Sequence, residues 1–309
     1  MIGLKQHTIA FYNIENLFEP ESPMLQTKYI KWSKDRYLKK IKNLGLAIHQ
    51  IGAKETAKHP ALIGLAEVEN ETVLYDLTQS LHLKPYNYQY VYFRSLDKRG
   101  MNVALLYDAS IFTVTASKAY KIDLLDAYGD TDYTRDVLLV TGNLGSEKLH
   151  IIINHWPSKR EKKTEIKRME AAKKVGEIID AIRKEDSEAK VLIMGDFNDD
   201  PESPSINYLI ERFELYNPME KLRSYSRGSL SFERHWHLFD QFLLSSNFLE
   251  AKPSQWQFES ADIFDAQFLK FSKGKHRGRP FRTFLAGNYH GGFSDHFPVY
   301  ITIKYQSEY

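Results

Sequence analysis

The chain has 309 residues, of which 42% are hydrophobic and 27% are charged, a composition typical of a soluble globular protein. It contains no cysteine, which excludes disulfide frameworks, zinc–thiolate sites and cysteine nucleophiles. Its 42 basic and 40 acidic residues leave a formal net charge of +2, so attraction for a polyanion must come from local clusters of charge.

No stretch of the sequence is long and apolar enough to span a bilayer. Residues 1–5 lack the apolar run and small-residue cleavage site of a signal peptide. We therefore expect a soluble protein, cytoplasmic on the sequence as given and exported if a leader was removed, with no membrane segment and no obligate protein partner. No linker or fixed-period repeat divides the chain, so residues 1–309 are predicted to form a single domain.

Hydrophobic periodicity predicts a chain rich in strands. Short apolar runs bounded by polar residues occur at ten places. These runs are residues 7–13, 61–66, 88–93, 102–107, 111–115, 137–143, 149–154, 191–194, 239–244 and 299–303. Helical spacing of apolar residues predicts two long helices, one from Tyr37 to Ile51 with Gly52 as its stop, and one from Ile166 to Ile182.

The arrangement of these elements indicates the fold class. Few long helices separate the strands, which argues against an alternating βαβ barrel. Short polar connections, such as residues 108–110 and 144–148, predict antiparallel hairpins. Strands this apolar need cover on both faces, by helices on one side and by another apolar layer on the other. The predicted fold is therefore α/β, with two stacked mixed β-sheets flanked by helices in a four-layer α/β sandwich.

Polar residues that can bind metal ions or transfer protons occur where these strands end, at positions from which a rigid scaffold can present them to one cleft. Asn13 closes the first strand and Glu15 follows two residues later on the same side; by themselves they are more typical of a turn and a solvated carboxylate. Either Glu67 or Glu69, after the second strand, could be a metal ligand. Asn70 could instead cap the next helix.

Later strand ends carry stronger signals. His155 closes a run of isoleucines, although core histidines are also common at such positions. After the eighth predicted strand, Gly195 permits close backbone approach, and Asp196 and Asn198 offer a base and an amide donor. Asp240 lies within an apolar strand, where a carboxylate is rarely left without a partner.

The last motif of this kind, Ser294-Asp295-His296, precedes the final strand. Adjacent Asp295 and His296 point to opposite sides of an extended segment, so one can face a metal ion while the other faces the scissile group. Together and in chain order, the motifs resemble those of the endonuclease/exonuclease/phosphatase family. The resemblance extends over residues 8–303 and rests on Asn13 with Glu15, Glu67, Asn154-His155-Trp156-Pro157, Gly195-Asp196-Phe197-Asn198, Asp240 and Ser294-Asp295-His296.

The resemblance implies a metal-dependent phosphoesterase, because hydrolysis of a phosphodiester needs neutralised charge, an activated water and a stabilised leaving oxygen. It implies Mg²⁺, or alternatively Mn²⁺, held by oxygen ligands. The implied ligands are Glu67, Asn13, Asp295 and Glu15. The implied catalytic residues are Asp196 as proton acceptor or donor, Asn198 beside the attacking water or a phosphoryl oxygen, His296 held by Asp240, and His155 as donor to the phosphoryl oxygen.

Basic residues provide candidates for substrate binding. Arg99 and Arg135 each precede a predicted strand. The resemblance places an arginine in the Arg135 region near the phosphate, although an ordinary surface arginine explains this residue equally well. Lys275, Arg277 and Arg279 lie, with Lys273, His276 and Arg282, in a segment where cations alternate with aromatics, which suits a nucleic-acid backbone; a flexible loop is the plainer explanation. A further basic cluster, which a solvated helix face also explains, comprises Lys159, Arg160, Lys162, Lys163, Lys167 and Arg168.

Three functions are consistent with these features. The first is a nuclease that cleaves DNA or RNA phosphodiesters with an activated in-line water. The alternative is a phosphatase or phosphodiesterase acting on a small phosphorylated substrate, such as a sugar, an inositol or a lipid headgroup. The least favoured is a non-catalytic binding protein on the same fold, because every expected polar residue is present.

Overall fold

The computed structural model describes residues 4–26, 32–125, 128–159, 164–233 and 235–306. Sixteen strands occur in these ranges: β1 Leu4–Leu17, β2 Leu62–Val68, β3 Tyr88–Tyr92, β4 Asn102–Asp108, β5 Phe112–Tyr120, β6 Val137–Leu144, β7 Glu147–His155, β8 Lys190–Asp196, β9 Leu215–Tyr216, β10 Leu230–Phe232, β11 His235–His237, β12 Asp240–Ser245, β13 Trp256–Ile263, β14 Phe284–Leu285, β15 Asn288–Tyr289 and β16 Val299–Gln306. The helices are α1 Pro23–Gln26, α2 Lys34–Gln50, α3 Ala53–Thr56, α4 Glu71–Thr78, α5 Thr164–Glu185 and α6 Pro204–Phe213.

Two six-stranded sheets form the body of the structure. The first has the order β13-β16-β1-β2-β4-β3 and the second β5-β6-β7-β8-β12-β9. Both are mixed, because β1 and β2 are parallel in the first, as are β7 and β8 in the second, whereas their other neighbours are antiparallel. The prediction of two stacked mixed sheets with flanking helices is confirmed.

The two sheets pack directly against each other through buried apolar side chains. Phe11, Leu65, Met194 and Phe242 are all fully buried in one cluster that joins both sheets. A Cβ atom on Gly64 would lie 2.9 Å from the Met194 sulfur and 2.9 Å from Phe11 Cδ2. That close approach leaves room for glycine and little else at this position.

Helices cover the sheets. In α2, the apolar stripe of Tyr37, Ile41, Leu44 and Ile48 is buried and packs into the same cluster as the first sheet. In α5 and α6, buried residues form a separate cluster with the second sheet. Within the described ranges, no helix is both long and apolar enough to cross a membrane.

Strand register brings the ends of several strands to one edge of the sandwich. In the second sheet, Asp196 at the end of β8 is the direct neighbour of His155 on β7 and of Asp240 on β12. In the first sheet, Asn13 on β1 lies beside Ala66, one residue before Glu67 on β2. The polar residues predicted at strand ends therefore converge because the strands that carry them are adjacent.

Candidate active site

The centre of the site is a row of three buried side chains on the second sheet, His155, Asp196 and Asp240, which occupy neighbouring strands. The first sheet contributes Asn13, whose Nδ2 donates to Asp196 Oδ2 at 2.9 Å. Ser294 Oγ donates to the Asn13 carbonyl oxygen at 2.6 Å and accepts from the His296 backbone N–H at 3.1 Å. These hydrogen bonds fix the two sheets relative to each other at the site.

His296 is held by an aspartate. Its Nδ1 lies 2.7 Å from Asp240 Oδ2, and its Nε2 lies 3.9 Å from Asp196 Oδ2. Burial lowers the pKa of His296, but the carboxylates of Asp240, Asp196 and Asp295 outweigh burial and raise that pKa well above its ordinary value. This arrangement favours a protonated imidazole whose Nε2 faces Asp196.

Asp196 lies where several groups can exchange protons with a substrate or a water. Its Oδ1 accepts from the Asn198 backbone N–H at 3.0 Å, and Asn198 adopts a left-handed backbone with φ of 50°. Asn198 Nδ2 donates to the Trp156 carbonyl oxygen at 2.9 Å. Complete burial raises the pKa of Asp196, Asp240 contributes to the rise, and His296 opposes it. A carboxyl with a raised pKa can act as base or acid near neutral pH.

His155 faces the same aspartate from the neighbouring strand. Its Nε2 lies 3.6 Å from Asp196 Oδ2, and its buried Nδ1 has no hydrogen-bond partner among the described residues. Burial, together with Arg135 and Arg99, holds the pKa of His155 well below its ordinary value. A neutral imidazole beside a carboxyl of raised pKa can donate one hydrogen bond to an incoming oxygen.

Glu67 and Glu69 differ in how many of their carboxylate oxygens accept hydrogen bonds. Glu67 is half-buried and has a left-handed φ of 68°. Its Oε2 accepts from the Asn16 backbone N–H at 2.7 Å, whereas Oε1 has no hydrogen bond to any described residue. Both oxygens of Glu69 are occupied, by the Glu19 backbone N–H and by Ser22 Oγ. Asn70 caps α4, accepting from the Val73 backbone N–H at 3.1 Å. Of these two glutamates, Glu67 is therefore the one with an oxygen that accepts no hydrogen bond from a described residue.

Glu15, one of the predicted ligands, has both carboxylate oxygens bound to other residues. Its Oε1 accepts from Arg282 Nε at 2.9 Å and its Oε2 accepts from the Thr283 backbone N–H at 2.7 Å. Behind it, the buried Lys40 Nζ donates to the Glu15 carbonyl oxygen at 2.7 Å. Arg282 also donates to Asp295 Oδ2 at 2.9 Å. Both Glu15 oxygens are thus engaged in a buried network that positions Arg282.

The charges around this network fit a bound cation. Three carboxylates, Glu15, Glu67 and Asp295, lie around two cations, Lys40 and Arg282. Burial raises the pKa of Glu15 to about 7, and the neighbouring Asp295 contributes to the rise, as expected where negative charge is in excess. All available donors are oxygens, which suit Mg²⁺ or Mn²⁺ rather than thiophilic metals.

A second group has metal-binding spacing. Among the described residues, Asp196, Asp240 and His296 bring one ligand atom each to within 4.8 Å of one another. However, Asp240 Oδ2 and His296 Nδ1 already bind each other at 2.7 Å, so these two atoms are not free to hold an ion. We therefore favour Glu67 and Asp295 as the metal side of the site, with the Asp196–His296–Asp240 group as its proton-transfer side.

The site opens into a cleft of about 560 Å³. Three cations, Arg99, Lys159 and Arg282, line it. Arg135 does not, because its side chain is buried and donates to the Trp156 carbonyl oxygen at 2.6 Å. Its place behind His155 and Asp196 is that of a supporting residue.

The predicted basic residues of the last loop lie outside the cleft lining. These residues are Lys275, Arg277 and Arg279. Of the other basic cluster, Arg160, Lys162 and Lys163 lie outside the described residues. Lys167 binds Asp132 at 2.6 Å, and the buried Arg168 has its Nε 2.7 Å from Asp199 Oδ2. Lys159 is thus the described member of that cluster that reaches the cleft.

Lys40 and the pair Asp200–His237 contribute to the site or its wall and had no place in the sequence-based prediction. Arg282 was predicted only as a member of the basic segment, not as a partner of Glu15 and Asp295. The continuation of Gly195-Asp196-Phe197-Asn198 into Asp199-Asp200 was the available signal for that pair. The partners of Arg282 and Lys40 are more than 240 positions away in some cases, such as Lys40 with Thr283, so no local pattern could have revealed them.

Known proteins resemble the chain along nearly its whole length. The family model described as Endonuclease/Exonuclease/phosphatase family matches residues 8–305. No curated protein matches. Among solved structures, an endonuclease/exonuclease/phosphatase family protein from Bacteroides thetaiotaomicron has a TM-score of 0.61 and 15% identity, covering 99% of this chain and 100% of that one.

Two further solved structures carry more specific names. The human Nocturnin catalytic domain with bound sulfate has a TM-score of 0.59 and 15% identity, covering 96% of this chain and 94% of that one. A mannosyl-6-phosphatase from Bacteroides thetaiotaomicron has a TM-score of 0.58 and 16% identity, covering 96% of this chain and 99% of that one. Identities this low establish a shared fold and no more.

Proposed function

The chain belongs to the endonuclease/exonuclease/phosphatase family, and from that membership we propose that it is a divalent-metal-dependent phosphodiesterase acting on nucleic acid. The observation that carries the hydrolytic part is the convergence of Asp196, His296 and the half-buried Glu67 in one cleft, with the buried Asp240 bound to His296 behind it. A buried proton-transfer group beside an excess of carboxylates is what hydrolysis of a phosphoester requires.

The metal side of the site would be formed by Glu67 and Asp295, with the Asn13 amide oxygen beside them, and Mg²⁺ or Mn²⁺ suits this set. When bound, the ion neutralises phosphoryl oxygens and stabilises the leaving oxygen. Glu15 is assigned a different role from the predicted one. It anchors Arg282, whose guanidinium lines the cleft and can bind a phosphoryl oxygen.

The protein side supplies the proton transfers. Asp196 accepts a proton from the attacking water, while the Asn198 amide oxygen, the part of that side chain not donating to Trp156, orients the water. His296 donates from Nε2, because Asp240 occupies Nδ1. His155 donates from Nε2 to a phosphoryl oxygen as negative charge develops there.

The preference for nucleic acid rests on residues 273–279. Lys273, Lys275 and Arg277 are exposed, and no acidic residue in the described part of the chain forms an ion pair with them or with Arg279. Arg279 lies three residues from Arg282, so their backbones are at most about 10 Å apart. Unneutralised cations this close to the cleft suit the backbone of a polyanion that extends beyond it.

We expect the triple variant Lys275→Ala, Arg277→Ala and Arg279→Ala to bind a DNA or RNA duplex with a weaker salt dependence. Each lost phosphate contact removes one counterion-release event, so the slope of log affinity against log salt should fall by about two to three. Fluorescence anisotropy with a labelled oligonucleotide in EDTA measures binding without cleavage. The matched control replaces three exposed lysines distant from this segment in sequence, Lys54, Lys84 and Lys148.

A small phosphorylated substrate is the second candidate. One wall of the cleft is apolar, with Leu230, Phe232 and Phe239 along it, which suits a compact organic group. In that case the triple variant keeps the wild-type salt slope. An unchanged slope would therefore replace the nucleic-acid proposal with this one, while leaving the hydrolytic mechanism intact.

A further inference from the structure

A second aspartate–histidine pair lies at the cleft, apart from the one that holds His296. His237 Nδ1 is 2.9 Å from Asp200 Oδ2. Asp200 is itself buried, accepts from the Leu238 backbone N–H at 2.8 Å and lies 3.1 Å from Arg223 Nη1. A carboxylate held by this many donors fixes the imidazole in one orientation.

One ring nitrogen of the cleft-lining His237 is not engaged by Asp200. Because Nδ1 is bound to Asp200, Nε2 lies on the opposite side of the ring, and His237 lines the cleft. Nothing in the described ranges forms a hydrogen bond with Nε2. The proton-transfer group already has its own histidine, His296, so His237 is an oriented polar group that the proposed hydrolysis does not use.

Lys159 lies on the same wall. Its Nζ is 4.9 Å from the centre of the Phe239 ring, and that ring is 4.8 Å from the His237 ring. Lys159 Nζ is also 3.4 Å from Asp199 Oδ1, and Asp199 is buried and bound by Ser205 Oγ at 2.6 Å. The consecutive residues Asp199 and Asp200, which follow β8, thus bind Lys159 and His237, two side chains that line the cleft.

The charges of this wall favour an anion. Asp199 is balanced by the buried Arg168 as well as by Lys159, and Asp200 is balanced by Arg223 as well as by His237. Each of these two aspartates therefore has a second cationic partner, Arg168 or Arg223, besides the cleft-lining side chain that it binds. A phosphate group approaching Lys159 and His237 would meet two donors without facing an uncompensated carboxylate.

We propose that His237 and Lys159 form a subsite for a second, non-reacting phosphate of the substrate, the neighbouring backbone phosphate of a nucleic acid. This inference rests on the proposed phosphoesterase function. It assigns the substrate two phosphates, one that is hydrolysed and one that binds to the subsite. Asp200 is a positioning residue, since it acts through His237.

The test compares two nucleoside substrates that differ in one phosphate: thymidine 5′-(p-nitrophenyl phosphate) and its 3′-phosphorylated counterpart. We expect the wild-type chain with Mg²⁺ to favour the 3′-phosphorylated substrate by roughly tenfold or more in kcat/KM, as one or two charge-assisted hydrogen bonds supply. His237→Ala and Lys159→Ala should each reduce this preference severalfold. Since a ratio is measured on active molecules alone, partial unfolding of a variant does not alter it.

The matched control is His235→Ala, an exposed histidine on the same short strand that does not line the cleft; it should keep the wild-type ratio. A wild-type ratio near one both for this pair and for glucose 1,6-bisphosphate against glucose 6-phosphate, or variants that slow both members of a pair equally, overturns the subsite. Failure to hydrolyse either nucleoside substrate or bis(p-nitrophenyl) phosphate overturns the proposed function instead. Repeating the comparison with glucose 6-phosphate and glucose 1,6-bisphosphate identifies the source, because a preference confined to the sugar pair keeps the subsite and overturns the nucleic-acid proposal.

Discussion

Asp196→Asn is expected to lower kcat for phosphodiester hydrolysis by about a hundredfold or more, because it removes the proposed proton acceptor. The Asp196 Oδ2 atom lies 2.9 Å from Asn13 Nδ2, 3.6 Å from His155 Nε2 and 3.9 Å from His296 Nε2. Among the described residues, no other side chain lies this close to Asn13, His155 and His296 together. The amide keeps the shape of the carboxylate, so the loss reports on chemistry rather than packing.

Two comparisons make this result specific. Asp108→Asn changes another buried, hydrogen-bonded aspartate, bound by His59 and Ser110. It lies at the opposite end of the first sheet and should leave kcat near the wild-type value. Asp240→Asn should cost less than Asp196→Asn, because Asp240 acts by orienting His296. Steady-state kinetics on bis(p-nitrophenyl) phosphate, with thermal unfolding as a folding check, measure all three. Wild-type turnover by Asp196→Asn, or by His296→Ala, would overturn the mechanism.

Glu67→Gln is expected to abolish metal-supported turnover while the chain stays folded. One of its carboxylate oxygens accepts no hydrogen bond from a described residue, and a neutral amide is a much poorer ligand for a hard divalent cation. Titration calorimetry with Mg²⁺ or Mn²⁺ should show weaker binding, and turnover should not recover at high metal concentration.

Glu69→Gln is the matched control for this prediction. It makes the same change two residues away, in a side chain whose oxygens already accept from the Glu19 backbone N–H and Ser22 Oγ. Near-normal turnover is expected for it. If Glu69→Gln loses activity and Glu67→Gln retains it, the metal ligand has been assigned to the wrong carboxylate.

Much of the fold follows from local sequence patterns. Each of the ten apolar runs overlaps a strand. Most of these strands are buried on both faces, and such strands are apolar throughout. The strand Trp256–Ile263 was not predicted, because it is an edge strand that pairs with β16 alone in the described structure. Most of its residues are only partly buried, and they form no continuous apolar run. Helix α6 was missed because it has ten residues and four buried positions, too few to establish a helical period.

The candidate site, like the fold, could be predicted only in part from local sequence patterns. Residues at strand ends could be located because strand register brings such ends together. Glu15 shows the limit of that reasoning. Alternation along β1 predicted it on the same side as Asn13, but Glu15 and Asn16 have left-handed φ values of 52° and 53°. These turn the Glu15 carboxylate toward Arg282, a residue 267 positions away. Contacts made across such separations depend on tertiary structure, which a local pattern does not encode.

The central claim, metal-dependent hydrolysis of phosphodiesters, is tested most directly by one measurement on the wild-type chain. Hydrolysis of bis(p-nitrophenyl) phosphate and of plasmid DNA is followed in EDTA and after addition of excess Mg²⁺ or Mn²⁺. We predict turnover of both substrates with either metal, loss of turnover in EDTA, and recovery when the metal is restored. Undiminished turnover in EDTA, or no turnover of either substrate with either metal, would contradict the claim.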